Sequence, residues 1–160
     1  LGYSGGTSGV NQSSIDELRF GQTFADVTPT FTPSESWRLT NFGTAVNTGN
    51  AADLADPDGD GFPNLLEYAL NSLPMSTASR NAPTPATTAI GGQDYLTLSV
   101  PWNTTATDVT FTVEVSDDLT TLHSGPAYTT VVSTGANLIV RDNTPIGGAT
   151  KRFMRLNVTH

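Results

Sequence analysis

The chain has 160 residues, a formal net charge of −8 and no cysteine, which excludes a disulfide framework and a thiolate metal site. Its 15 acidic residues outnumber 7 basic ones, so the chain lacks the basic surface that nucleic acid or an anionic membrane requires. Only 36% of the residues are hydrophobic. The abundant Gly, Thr, Asn and Ser instead favour short strands joined by turns.

Residues 1–33 are predicted to form a flexible arm that carries one orphan β-strand. Residues 1–13 are rich in Gly and Ser, as is typical of a tether. The strand is predicted from the larger apolar residues that follow, namely Ile15, Leu18, Phe20, Phe24, Val27 and Phe31. No hairpin partner adjoins this stretch in the sequence, so the strand must pair with a distant part of the chain or with another subunit.

Residues 34–74 are predicted to form a helix, an acidic loop and a second helix. Ser34 is a suitable cap for the first helix, which is expected to end at Gly43. Pro63 fits the first turn of the second helix, and Pro74 is expected to stop it. The packed face of the second helix is predicted to consist of Leu66, Leu70 and Leu73.

Residues 56–67 match the calcium-loop pattern D-x-[DN]-x-[DN]-G-x5-E without a gap. Calcium takes six to eight oxygen ligands at about 2.3–2.6 Å, and alternate residues of a tight loop supply them. Gly61 occupies the sharp turn, which glycine makes at little cost. The expected Ca²⁺ ligands are side-chain oxygens and one backbone carbonyl, from Asp56, Asp58, Asp60, the carbonyl of Phe62, Asn64 and Glu67.

Three other acidic residues have two interpretations each. Asp53, three residues ahead of the loop, is either an outer ligand of the ion or a helix cap. Asp117 and Asp118 either contribute to a second ion or belong to an exposed turn, and the turn is favoured.

Residues 75–93 are predicted to be a linker, because Pro83, Pro85 and a Gly91-Gly92 pair interrupt them. Beyond the linker, apolar and polar residues alternate. Residues 94–160 are therefore predicted to form an antiparallel β-sandwich of the immunoglobulin or fibronectin type. The predicted strands cover residues 96–100, 109–115, 128–133, 137–141 and 152–159. The whole chain is expected to be mainly β, with an EF-hand-like calcium loop and short flanking helices ahead of the sandwich.

The run DPDGDG-x-P-N-LLEYAL, preceded by W-R-x-T-N-F-G, resembles the calcium loops of thrombospondin type 3 and dockerin-like repeats. It is most similar to the C-terminal modules of large exported bacterial proteins, in which such a loop precedes a β-domain. Residues 111–119 and 152–159 resemble that β-domain, and residues 15–21 resemble the last strand of a lectin-like domain. The resemblance implies a secreted protein at the cell surface or in the extracellular space. A dockerin needs two loops in tandem, and the sequence has one.

Catalysis is not expected. His123 and His160 are the only histidines, and neither has an acid and a serine at the spacing of a hydrolytic triad. The densest group of carboxylates is assigned to the metal. No apolar run approaches the ~20 residues that span a bilayer.

The leading hypothesis is a calcium-stabilised extracellular structural protein that assembles with copies of itself. Strand addition from one subunit to the next would satisfy the orphan strand and would propagate into a filament or matrix. The alternative is a polysaccharide-binding accessory module of a secreted enzyme or adhesin. Its sugar-stacking residues would be Trp37, Tyr95, Trp102 and Tyr128.

Overall fold

The computed structural model describes residues 29–148 and 151–160. The chain divides into two compact units, Leu1–Thr30 and Phe31–His160, and the described residues belong almost wholly to the second. The predicted arm and orphan strand therefore lie outside the described residues as far as residue 28. The expected continuation of that strand to Pro33 is wrong, because residues 29–32 are not in a strand and Pro33 begins a helix.

Helix α1 spans Pro33–Phe42 and begins two residues earlier than the predicted cap at Ser34 implies. Its cap is Thr32 and not Ser34: the Thr32 hydroxyl accepts from the Glu35 N–H, and the Glu35 carboxylate accepts from the Thr32 N–H. This reciprocal capping box satisfies two backbone donors at the helix start. The predicted end is confirmed, because Gly43 adopts the left-handed conformation with φ 72°.

Helix α2 spans Asn64–Leu70 and is shorter than predicted. Pro63 lies just before its first residue, and Asn71 ends the helix in the left-handed region at φ 58°. Asparagine tolerates that conformation better than most residues. Leu73 consequently lies beyond the helix and is 57% exposed, so its predicted place on the packed face is wrong.

The predicted linker contains a strand, β1, over Thr84–Ile90. Pro85 is tolerated there because β1 is an edge strand, in which one row of N–H groups has no ladder partner. Gly91 and Gly92 have φ values of 60° and 78°, as a two-residue hairpin turn requires. Pro85 and the Gly91-Gly92 pair, which were interpreted as breaks, thus belong to a hairpin that joins β1 to the next strand.

Strands β1 to β6 form two antiparallel sheets in the described residues. The first sheet has the order β1-β2-β5-β4, and the second pairs β3 with β6. This architecture confirms a mainly β fold with few helices, compatible with a β-sandwich. The strands are β1 Thr84–Ile90, β2 Gln93–Val100, β3 Thr110–Ser116, β4 Thr129–Thr134, β5 Leu138–Pro145 and β6 Phe153–Thr159.

One hydrophobic core serves both sheets and the acidic loop. Its buried members come from the loop, from α2 and from three of the strands: Phe62, Leu70, Leu98, Val100, Val113, Leu138 and Val140. The helix–loop–helix segment and the sheets therefore share their apolar interior. Single 3-10 turns lie at Gly49–Ala51 and Ile146–Gly148. No helix in the described part of the chain has the length and apolar character needed to cross a bilayer.

Candidate metal centre

The first three predicted ligands lie together. Carboxylate oxygens of Asp56, Asp58 and Asp60 are within 4.8 Å of one another. The loop is wound around Asp56, whose two oxygens accept from the N–H groups of Gly59 and Gly61, each at 2.9 Å. The backbone thus holds three negative charges close together, and the cluster can hold a metal ion.

Asp58 and Asp60 each use one oxygen inside the loop and leave the other without a partner. Asp58 Oδ1 accepts from the Asp60 N–H at 3.1 Å, and Asp60 Oδ1 accepts from the Phe62 N–H at 2.7 Å. Oδ2 of both residues is buried and accepts no hydrogen bond from the described residues. Each aspartate therefore presents one oxygen that the fold has desolvated.

Two further predicted ligands, on α2, add three more such oxygens. They are Asn64 Oδ1 and both carboxylate oxygens of Glu67. Glu67 is 0% exposed and Asn64 is 1% exposed. A buried polar group without a partner costs about 1–3 kcal/mol, and more when it is charged. Five buried acceptors in one loop with no donor among the described residues therefore mark a place for a positively charged group.

The side-chain amide of Asn64 has a defined orientation. Its Nδ2 donates to the backbone carbonyls of Asn50 and Ala52, each at 2.7 Å. Carbonyl oxygens accept only, so the amide nitrogen must lie on their side and Oδ1 on the other. The chain ahead of the loop thus fixes the orientation of the neutral oxygen that was predicted to be a ligand.

Glu67 is the acidic residue whose ionised form the fold destabilises most clearly. Burial, together with the negative charges of Asp58, Asp60 and Asp56, raises the pKa of its carboxyl to about 7. A carboxylate that is fully buried beside like charges is unstable in its ionised form unless a cation compensates it. The group at the last position of the predicted loop is therefore the one that most needs a cation.

Phe62 connects the loop to the core. Its side chain is buried in the shared core, and the Arg80 guanidinium lies 4.4 Å from the ring centroid. Its backbone carbonyl is the predicted ligand at the seventh position of the loop. Displacing this carbonyl would therefore disturb residues that pack between the sheets.

The far end of α2 is bound to the segment between β2 and β3. Asn103 donates from its backbone N–H to Ala69 O at 2.7 Å and from Nδ2 to Tyr68 O at 3.0 Å. The Tyr68 hydroxyl donates to Asp108 Oδ1 at 2.5 Å. The helix that carries Asn64 and Glu67 is thus held at one end by the β-domain and leads at the other into the acidic loop.

Asp53 acts as a helix cap, one of the two roles expected of it, while its side chain binds Arg38 and His160. Its carboxylate accepts from Arg38 Nη2 at 2.5 Å and contacts His160 Nδ1 at 2.9 Å. Burial alone would raise the pKa of Asp53, but Arg38 and His160 hold it below its usual value. The residue does cap α2, through its backbone: Asp53 O accepts from the Leu65 N–H at 3.0 Å.

The inward face of α1 was missed by sequence reasoning. Ser34 and Arg38 are buried, whereas Leu39 is 41% exposed. Ser34 donates its N–H to Asp108 Oδ2 at 2.9 Å, and Arg38 pairs with Asp53. No local signal could have identified this polar face, because both partners lie on other segments.

Asp118 forms an exposed turn, as the favoured interpretation expected. Its Oδ1 accepts from the N–H groups of Thr120 and Thr121 at 2.8 and 2.7 Å. Together with the hydroxyl of Ser116, these donors hold the pKa of Asp118 below its usual range. The carboxylate is thus satisfied by its own turn.

The four aromatic residues proposed for sugar stacking have other contacts. Trp37 packs on Phe42 and Tyr68, and Trp102 packs edge-on against Phe111 and donates to Gly135 O. Tyr95 lies under the Arg141 guanidinium, and Tyr128 stacks on His123. Each ring is part of a local packing arrangement.

Comparison with known proteins adds no assignment. No protein-family model, no curated protein and no solved structure matches this chain. The chemistry of the loop and the architecture of the sheets therefore carry the functional conclusion.

Proposed function

We propose that residues 56–67 form an EF-hand-like loop that binds one Ca²⁺, and that the ion stabilises an extracellular structural protein. The observation that carries this proposal is the group of five buried oxygens without a donor, on Asp58, Asp60, Asn64 and Glu67. They are carboxylate and amide oxygens, the hard donors that calcium prefers. Asp56 and the Phe62 carbonyl would complete the shell, and a flexible oxygen set suits calcium better than the strict octahedron of magnesium.

A structural role fits the connections of the ligands. The ion would hold Phe62, which packs in the core, next to Glu67, whose helix is bound to the β-domain through Asn103. An exported chain without disulfides gains rigidity from such a site. Extracellular calcium modules bind their ion at roughly 10⁻⁴ to 10⁻³ M, in the range of extracellular calcium.

Calorimetric titration of the metal-free protein with Ca²⁺ tests the site, together with melting curves in calcium and in EDTA. We expect saturable binding of one ion, a lower melting temperature in EDTA, and no calcium response in Asp58→Ala. Asp94→Asn, which removes an exposed charge on β2, should keep the full response. An unchanged melting curve after chelation would overturn the structural role.

The β-domain is proposed to be of the immunoglobulin type. A constant-type domain has strands A, B, E and D in one sheet and C, F and G in the other. In chain order, β1-β2-β5-β4 corresponds to A-B-E-D, and β3-β6 corresponds to C-F. The correspondence of all six strands supports the proposal, and an experimental structure with a different sheet order would overturn it.

Self-assembly by strand addition is the second part of the proposed function. Within the described residues the two-stranded sheet has an outer edge on each strand, that of β3 being bridged at Val115 by His123, and the four-stranded sheet ends in β1 and β4. Edges of this kind accept strands from other chains. Size-exclusion chromatography and negative-stain imaging in calcium test this part. Oligomers or filaments are expected, and a strictly monomeric protein would overturn it.

A further inference from the structure

The outer edge of β6 has backbone groups that no described residue pairs with. Val115 on β3 exchanges both of its backbone hydrogen bonds with His123, at 2.8 and 3.0 Å. Backbone groups of successive strand residues point to opposite sides. Thr110, Thr112, Glu114 and Ser116 therefore bond to β6, and the backbone groups of their partners on β6 point toward β3. The intervening residues Met154, Leu156 and Val158 direct their N–H and C=O groups to the outer edge, where no backbone group of a described residue bonds to them.

Two cavities lie along this edge, which we call the β6 trough. A cavity of about 290 Å³ adjoins the start of β6, and one of about 160 Å³ adjoins its end. Most of their lining is apolar, from Leu96, Leu98 and Met154 at one end and from Leu54, Leu66 and Val158 at the other.

The trough offers no free charge. Of the described residues, Arg152 is the one charged residue that lines either cavity, and Asp142 binds it through two hydrogen bonds of 2.7 Å. A matching occupant therefore has an apolar face and a backbone able to pair with β6.

The position of the trough corresponds to the seventh strand of the immunoglobulin order. Strand G pairs with the outer edge of strand F, and β6 corresponds to F. The inference below therefore rests on the proposed function. The proposed metal site adjoins the trough, because Leu66, next to Glu67 on α2, lines it.

We propose that the β6 trough binds residues 18–24 of a second copy of this chain as an added strand. Leu18, Phe20 and Phe24 recur at spacings of two and four residues, so they share one face of a strand. Their side chains fill the two cavities, while the backbone bonds to Met154, Leu156 and Val158. Arg19 lies on the opposite face and stays in solvent.

The length of the connecting segment favours a second copy over the same chain. The chain enters the described body at Ser34, which is bound to Asp108, two residues before β3. The first residue of β3, Thr110, pairs with the last residue of β6, Thr159. The entry point thus adjoins one end of the trough, and insertion of its own chain would leave the nine residues 25–33 slack. Extended, nine residues span about 30 Å, which is about the diameter of a small domain.

The direction of the added strand relative to β6 also favours a second copy. A strand that ran along the trough and led directly into its own Ser34, without doubling back through residues 25–33, would be parallel to β6. Strand G of the immunoglobulin order is antiparallel to F. A strand from a neighbouring copy is free to adopt that direction.

Cysteine cross-linking in the full chain tests the inference, since the native chain has no cysteine. Chains carrying Arg19→Cys or Thr23→Cys are mixed in calcium with chains carrying Asn157→Cys and oxidised. Asn157 is exposed on β6 and would face an added strand at a non-hydrogen-bonded position, where Cβ atoms approach most closely. Thr87→Cys, on the exposed edge strand β1, is the matched control acceptor.

We expect a disulfide-linked heterodimer with Asn157→Cys that exceeds the Thr87→Cys product severalfold. The double variant Arg19→Cys/Asn157→Cys should form a covalent ladder on a non-reducing gel. Phe20→Asp should abolish both products, and Phe20→Leu should restore them. A bond within single chains of the double variant, with none between chains, would overturn the second copy as the source.

Imaging of the same samples separates this inference from the proposed function. Oligomers that form without any bond to Asn157→Cys would overturn the trough but leave self-assembly standing. Monomers without any cross-link would overturn both. Calcium binding, measured by calorimetry in parallel, tests the metal site independently of the cross-linking and imaging results.

Discussion

Two carboxylates in the described part of the chain are fully buried, and their surroundings differ. Asp142 and Glu67 are both 0% exposed. Arg152 donates to both oxygens of Asp142, each at 2.7 Å, and the Thr144 N–H donates to Oδ1 at 2.9 Å. Glu67 receives no donor from the described part of the chain. A buried charge requires compensation. The chain supplies Arg152 as the cation for Asp142, and on our proposal it binds Ca²⁺ from solution as the cation for Glu67.

Each buried carboxylate lies at a junction. Asp142 is on β5 in the four-stranded sheet, and Arg152 immediately precedes β6 in the two-stranded sheet, so their pair connects the two. Glu67 connects the acidic loop to the helix that packs in the core. The difference predicts that one junction is permanent and the other depends on calcium.

Loss of the internal cation should have the largest effect. Arg152→Met keeps much of the side-chain volume but leaves Asp142 buried and unpaired, which costs about 3–5 kcal/mol. We expect that loss in the free energy of unfolding from urea denaturation, equally in calcium and in EDTA. A loss below about 1 kcal/mol would mean that water reaches Asp142, and the contrast with Glu67 would fail.

Glu67→Gln should have the next largest effect, of opposite sign in the two conditions. In calcium the variant loses a bidentate ligand and most of the stabilisation by the ion, about 2.7 kcal/mol at a hundredfold excess over Kd. In EDTA the variant should be more stable than the native chain, because it removes a buried charge that three aspartates repel. Denaturation curves of both proteins in both conditions check this. Asp94→Asn controls for the change in net charge, and equal loss in both conditions would contradict the metal site.

The pH dependence of stability should reverse with calcium. Without metal, the pKa of Glu67 is raised from 4.5 to about 7 in the folded protein, so the folded state holds the proton more tightly. Its stabilising contribution is complete below pH 4.5 and is lost as the pH rises through about 7. In EDTA the melting temperature should therefore fall between about pH 5 and 7.5. In calcium it should rise over that range, because protons compete with the ion for Glu67. Glu67→Gln should flatten both trends.

The acidic loop could be predicted from the sequence because its ligands are local. Residues 56–67 supply every proposed ligand from one continuous segment, and the Asp56, Asp58 and Asp60 carboxylates lie close together in the structure. The strands around Leu98, Val113 and Leu156 were predictable for a similar reason, since alternation every second residue is read within one segment. Such signals need no knowledge of distant partners.

Contacts between distant segments could not be predicted in this way. Asp53 was judged by its nearness to the loop, but its partners Arg38 and His160 are 15 and 107 residues away. Strand β1 was mistaken for a linker because Pro85 and the Gly91-Gly92 pair were interpreted as breaks. Its stability comes from pairing with β2 along seven residues. The cation for Asp142 was equally invisible, since no pattern connects that residue to Arg152.

The smallest effect should come from the exposed counterpart of the Asp142–Arg152 pair. Arg155 on β6 donates to Glu114 on β3 at 2.6 Å, nearly the same distance, but its side chain is 57% exposed. Water solvates both groups when the pair is broken, so Arg155→Met should cost less than about 1 kcal/mol, in calcium or in EDTA. Urea denaturation beside Arg152→Met measures the difference that burial makes to two similar pairs. If both variants lost the same free energy, pairing alone and not burial would set the cost, and the reason for assigning an external cation to Glu67 would fall with it.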